Sequence, residues 1–321
     1  MMDIVNKETL VDMLKWMRPA YSNTEADFCD YYLKPFFGEP DEHGNYIKII
    51  GLNPNVCFTA HTDTVHRQEG MQTVLVKDDV VTTATGSCLG ADCTTGLWLL
   101  MGMIEAGIEG VYVAHAAEEI GGIGSTALVS DRPAWLSFVD FVISFDRYGT
   151  KSIITEQGGL KTASDSFADG LSKALDMPQL VSDPTGTYTD SYEYAGVVSE
   201  CTNLSVGYYN QHTRLESQDL GYAVMLLEKL CGAHWGSLVA YRDHTLPEYG
   251  YGYGGYSTDD TKELETLERI IEDKSAGVAE LLFKYGFTVD DLAEEMDLSP
   301  TELDRYVGYD DCFDYHGYLP Y

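Results

Sequence analysis

Three nearly unbroken apolar runs constrain this chain more than anything else in it: "NVCFTA" at 55–60, "GVYVAHAA" at 110–117 and "DFVISF" at 140–145. A strand with one wet face alternates apolar and polar residues, so runs like these belong to a sheet covered on both faces. Between and after them the apolar spacing changes to that of helices. "DCTTGLWLLMGMIEAG", "GSTALVSD", "SDSFADGLSKALD" and "SQDLGYAVMLLEKL" are such segments, with a further strand in "ECTNLSVGY". Strands alternating with helices predict an α/β three-layer sandwich with a mixed, mostly parallel central sheet. Two helices, in "KETLVDMLKWM" and "SNTEADFCDYYLKPFF", a strand in "GNYIKIIG" and a hairpin in "QTVLVKDDVVTTATG" that reverses at Lys77, Asp78 and Asp79 complete the reading.

Length and charge bound the rest. With 321 residues, 44% of them hydrophobic, the chain can bury one large core plus a small appendage. Residues 1–248 read as one domain, 249–260 as a linker rich in Gly and Tyr ("YGYGGYSTDD"), and 261–321 as an acidic helical segment. That segment has a helix-turn-helix rhythm, with Val289, Leu292, Met296, Leu298, Leu303 and Val307 as its small core, but only Arg305 on its second helix. The net charge of -32 repels phosphate backbones and anionic lipid heads, so neither nucleic acid nor membrane is expected as a partner. The segment is instead expected to meet a protein partner or a second copy of the chain. No apolar run is long enough to span a bilayer and the start lacks a signal peptide, which makes the cytoplasm the expected location. Seven cysteines, none in a C-x-x-C pair, suggest reduced thiols rather than disulfides or a thiolate zinc site.

Ionic residues recur where strands end. His61 and Asp63 follow the first run, Glu118 and Glu119 the second and Asp146 the third, while Asp92 opens a helix and His212 follows the strand in "ECTNLSVGYY". If these loops share one edge of the sheet, their carboxylates resist ionisation together unless a cation neutralises them. Imidazole and carboxylate without thiolate suit zinc, and also cobalt or manganese. Two histidines and several acids exceed what one tetrahedral ion needs, and a pair of ions sharing a carboxylate uses them better.

In order along the chain, "HTDTV", "GADCTTG", "HAAEEIGGIG", "SFDR", "YTDSYEYAG" and "VGYYNQHTRLE" resemble the co-catalytic di-zinc exopeptidases, the group of peptidase T, related aminopeptidases and acetylornithine deacetylase. The resemblance spans roughly residues 55–232. It implies that two zinc ions are held, one by His61, Asp92 and Asp146, the other by Asp92, Glu119 and His212, with Asp92 as the bridge. It further implies that Asp63 orients the His61 imidazole and that Glu118 is the base for a metal-bridging water. The implied activity is removal of residues from one end of short peptides, with an aminopeptidase as the leading form. A deacylase acting on N-acyl amino acids or peptidoglycan-like peptides, and a non-catalytic binding protein on the same scaffold, remain open.

The chain also departs from its relatives. The stretch from Asp146 to His212 is already filled by strand and helix signals, so an inserted lid domain is not expected, and Cys93 stands where many relatives carry a second Asp. Gly121, Gly122 and Gly124 are expected to let backbone approach the site. Asp190 is read either as a site residue or as an Asx turn. Arg147 and Arg214, beside the proposed ligands, are read either as holders of a substrate carboxylate or as surface ion pairs, with surface pairing the leading reading, Tyr208 and Tyr209 either as oxyanion donors or, the leading reading, as packing, and His115 as a core residue.

Overall fold

The apolar runs lie side by side in the middle of a seven-stranded sheet. In the computed structural model, which describes residues 5–245, the strands are β1 (Tyr46–Ile50), β2 (Val56–His61), β3 (Gly110–His115), β4 (Phe141–Arg147), β5 (Ser152–Ile154), β6 (Val181–Asp183) and β7 (Glu200–Ser205). Their order is β6-β5-β7-β4-β2-β3-β1. The central pairs β7–β4, β4–β2 and β2–β3 are parallel, while β1 joins β3 antiparallel at one edge. The linker, the acidic segment and its helix-turn-helix rhythm lie outside the described residues.

Successive side chains of each strand go to opposite faces, and each face has its own core. Phe58, Ala60, Tyr112, Ala114, Phe141, Ile143 and Phe145 pack with the helices Ala91–Glu105, Asp165–Ala174 and Leu220–Gly232. Cys57, Val111, Val113, Val142 and Cys201 pack instead with Leu128 of the helix Ile123–Asp131 and with Trp135, Tyr194 and Val198. Helices on both faces of a mostly parallel sheet make the three-layer sandwich. No helix among the described residues is long and apolar enough to cross a membrane.

Several elements differ from their sequence signals for identifiable reasons. The first helix stops at Met13, and the chain runs extended from Trp16 towards Pro19, which disfavours helical backbone at Arg18. Trp16–Met17 then pairs with Gly70–Met71. The second helix runs from Asn23 to Phe37 with a π turn over Cys29–Leu33. Pro35 has no N–H to bond the preceding turn, and the wider turn accommodates its ring. The hairpin turns on Asp78 and Asp79, both left-handed at φ 51 and 61, as a two-residue turn between twisted strands requires. Its second arm extends through Ser217–Asp219 and Tyr208–Tyr209 into a separate four-stranded sheet.

The helix Ala91–Glu105 anchors the site. Thirteen of its fifteen residues are buried, and it lies so close to the sheet that a Cβ on Gly96 would meet the Phe145 carbonyl oxygen at 2.2 Å and the Ala60 methyl at 2.9 Å. Only glycine permits that approach. Gly96→Ala is therefore expected to destabilise the protein by about 1–3 kcal/mol through overpacking, read as a lower denaturant midpoint at constant slope. A midpoint within error of the parent would show that the helix can move away at no cost.

Candidate metal centre

β2 and β3 pair in parallel with His61 opposite His115, and β4 runs parallel beside β2, so the three strand ends point the same way. The residues that follow them converge at this edge. His61 is fully buried, its Nδ1 3.3 Å from Asp63 Oδ1 and its Nε2 3.6 Å from Asp146 Oδ1. An ionised Asp63 only accepts, so Nδ1 would donate to it, and Nε2 would offer its lone pair to a metal ion held in the cluster.

Asp63 does more than hold the imidazole. Its two oxygens accept the backbone N–H groups of Glu118 at 3.0 Å and Glu119 at 3.1 Å, which ties the acid pair to the end of β2. Ala117 before the pair is left-handed at φ 59, and Gly124 N–H returns to the Ala116 carbonyl at 2.9 Å. A Cβ on Gly124 would lie 2.6 Å from that carbonyl, which is why the turn needs glycine there. The loop thereby folds back on its strand and presents Glu118 and Glu119 side by side, both partly buried.

Asp92 sits in the first turn of the helix Ala91–Glu105, its Oδ2 2.9 Å from His212 Nε2 and its Oδ1 accepting from Cys93 N at 2.7 Å. Glu119 Oε1 is 3.5 Å from the same His212 nitrogen and, though buried, makes no hydrogen bond. Donor atoms of Asp92, Glu119 and His212 thus lie within 4.8 Å of one another, as do those of His61, Glu118 and Glu119 and those of His61, Asp92 and Cys93. Ligands on one tetrahedral zinc stand roughly 3.3 Å apart, given bonds of about 2.0–2.1 Å. The separations of 2.9, 3.5 and 3.6 Å between neighbouring donors bracket that value. All seven residues expected at the site are therefore in one place, and their donor set fits zinc.

Asp146, partly buried, accepts from Thr189 Oγ1 at 2.7 Å, and its own N–H goes to Asn203 Oδ1 at 3.0 Å. Tyr208 is packed as expected, and its hydroxyl also donates to the Asp146 carbonyl at 2.9 Å. His115 is a core histidine between Asn45 and Tyr194. Arg147 is not at the surface: it is 8% exposed, whereas Arg214 is exposed. Asp190 is not an Asx turn either, since its fully buried oxygens accept no hydrogen bond within normal geometry. The Cys93 thiol meets Nη2 of the buried Arg18 at 3.0 Å.

One residue escaped the sequence reading. Glu216, fully buried and four positions past His212, accepts the N–H groups of Leu89, Gly90 and Ala91 at 2.7, 3.0 and 2.8 Å. It caps the helix that carries Asp92 and so fixes the His212 loop relative to Asp92. Only its place inside "HTRLE" hinted at a role, because its partners lie more than 120 positions away.

The sum of these charges is a strained site. Burial first, then Asp92, pushes Glu119 up to about 7, and the same two causes push Glu216 up to about 8. Burial also lifts Asp190 to about 8 against the pull of His61, and lifts Glu118 well above the usual carboxylate range. Against burial, hydrogen bonds to Asp92 and Glu119 raise the His212 imidazole to about 12.

No family model matches the sequence, and no curated protein matches it. Solved structures do match in three dimensions. An aminopeptidase PepT from Bacillus cereus superposes with a TM-score of 0.54 at 16% identity, covering 71% of this chain and 98% of its own. A tripeptidase from Staphylococcus aureus gives 0.58 at 13% identity over the same shares. The TET1 peptidase of Pyrococcus horikoshii gives 0.52 at 14% identity, covering 71% and 98%. The chain has the zinc exopeptidase fold.

Two outcomes follow from the geometry. Glu216→Ala leaves three buried N–H groups without an acceptor, each costing about 1–3 kcal/mol, and frees the Asp92 turn. Zinc affinity, measured against a competing chelator, is expected to fall about 10–100-fold, as it does when the residues supporting a ligand are removed elsewhere; unchanged affinity would show that the cap does not position Asp92. The second outcome concerns pH. A carboxyl whose pKa is higher folded than unfolded favours the native state below the unfolded value and loses that advantage as pH rises to the folded one. Glu119, Glu216 and Asp190 therefore destabilise between their ordinary values and about 7 to 8. His212 acts with the same sign above 6.5, where the unfolded chain releases a proton that the native state keeps. The melting temperature of chelator-treated protein is expected to drop between pH 6.5 and pH 8, and a rise would contradict the placement of these groups.

Proposed function

We propose that the chain is a zinc-dependent exopeptidase that shortens peptides from one end, most simply from the amino end. The observation that carries this reading is the convergence of His61, Asp92, Glu119, Asp146 and His212 on one cluster in which, among the described residues, no lysine or arginine pairs with the three acids. Asp92, Glu119 and His212 would hold one ion, and His61, Asp146 and Asp92 a second, with Asp92 shared.

Bound there, the ions would polarise the scissile carbonyl and bring the pKa of water towards neutrality. The chain's own residues supply the proton handling. Glu118, fixed beside Glu119 by the Asp63 contacts and raised in pKa by burial, takes a proton from the attacking water and returns it to the leaving amine. A raised pKa suits this two-way task, because a strong acid would hold no proton to return. Asp63 keeps His61 in the tautomer that faces the cluster, and Thr189 and Asn203 steady Asp146. The adjacent glutamates thus divide binding from proton transfer.

The solved peptidases that share the fold support peptide substrates over the alternatives, and residues 1–248 are proposed as the catalytic domain. A deacylase would prefer N-acylated amino acids over free-amine peptides, which a substrate panel separates. Purified protein is expected to contain about two zinc ions per chain, by analogy with paired catalytic sites. Glu118→Ala is expected to keep the metal while losing at least about 10²-fold in kcat, the usual worth of a general base. Metal content by elemental analysis and hydrolysis of aminoacyl anilides check both, and full activity in Glu118→Ala would falsify the role given to it.

A further inference from the structure

The cavity into which the cluster opens holds about 120 Å³, with His61, Asp92, Glu118, Glu119, Asp146 and His212 on one side of it. Its wall is mostly polar, with Gln157, Thr187, Asn203 and Gln211 among the lining residues, and Arg147 is the one lysine or arginine on it.

Arg147 follows Asp146 directly at the end of β4, its guanidinium carbon 4.1 Å from the Tyr148 ring centroid. Stacking on a ring and burial fix the plane of the fork. Yet the fork is half used. Nη2 makes all of its contacts, to Thr185 Oγ1 at 2.9 Å, to Asp183 Oδ2 at 3.3 Å and to the Tyr148 hydroxyl at 3.3 Å. Nε is buried and donates to nothing, and no hydrogen bond from Nη1 occurs among the described residues. Asp183 meanwhile shares its charge with Ser152 Oγ at 2.6 Å and with the Thr185 N–H at 2.9 Å, so it does not depend on Arg147 alone.

Building on the peptidase reading, we propose that this cavity is a carboxylate subsite in which Arg147 receives an anionic group of the substrate beside the scissile bond. Two sources share that chemistry: the side chain of a terminal Glu or Asp, and the main-chain carboxylate of a very short peptide. Both supply the acceptor that Nη1 lacks.

The test compares matched substrates on the full-length, zinc-containing protein: Glu against Gln and Asp against Asn as aminoacyl anilides, and dipeptides against their C-terminal amides. At least one carboxylate member is expected to exceed its neutral partner about tenfold in kcat/KM, mainly through KM, the worth of one charged hydrogen bond. The pair that shows the preference identifies the source. Arg147→Gln is expected to bring that ratio to near one, and Arg147→Lys to restore part of it. Equal handling of every pair by the parent protein, or a preference that survives Arg147→Gln, overturns the proposal. Should no amide be cleaved, the peptidase reading fails, and calorimetry on the same protein still decides the subsite. Glutarate binding about tenfold tighter than its monoamide, and lost in Arg147→Gln, sustains it, whereas equal or absent binding ends it.

Discussion

Repulsion among carboxylates is the constraint on which the rest of this structure depends. Asp63, Asp92, Glu118, Glu119, Asp146 and Asp190 crowd one edge of the sheet, several of them fully buried, and the two imidazoles His61 and His212 cannot balance them. Burial alone would protonate such groups, as the upward displacement of Glu118, Glu119 and Asp190 shows. A fold tolerates this only where the acids have work that water-exposed acids could not do, and concentrated negative charge in a low-dielectric cleft is suited to divalent cations. The stability lost at this edge is offset by the two apolar cores on either face of the sheet.

Holding repelling groups in place takes a scaffold, and two buried acids supply it without facing the cavity. Asp63 links the end of β2 to the loop after β3 through two backbone N–H groups and an imidazole. Glu216 links the His212 loop to the first turn of the Asp92 helix through three more. Each is an acceptor saturated by donors, so each joins segments distant in the chain at little cost in unpaired polarity. Gly96 and Gly124 contribute by what they lack, allowing helix against strand and turn against strand end.

The centre of this arrangement was legible in the sequence because two signals coincided there. Apolar runs that cannot alternate had to be central strands, and acids or histidines stood at their ends. The rim was not legible. β5 and β6 have three residues each, too few for any periodicity to show. The four-stranded sheet joins Val74–Lys77 and Val80–Thr83 to segments more than 120 positions away, a pairing that no local pattern encodes. Glu216 escaped for the same reason. The surface reading of Arg147 failed because a charged residue beside a strand-end acid is ordinarily solvated, and nothing local shows that Tyr148, Asp183 and Thr185 enclose it.

Cys93 shows how a buried cation can be held without a carboxylate. Arg18 is fully buried, and no carboxylate lies within 4 Å of it among the described residues. Its guanidinium is held by the Thr62 carbonyl at 3.0 Å, Thr94 Oγ1 at 2.9 Å, the Cys93 sulfur at 3.0 Å and the face of Phe28 at 3.9 Å. A second Asp at position 93 would have answered that cation directly, but it would also have added a charge beside Asp92 in a cluster already overloaded. The polarizable thiol accepts from Arg18 while remaining neutral, burial pushing its pKa upward. Arg18 is thus held by neutral partners alone, and its charge acts on its own surroundings, opposing the rise that burial imposes on Glu25 and Cys93 and helping burial keep His66 neutral.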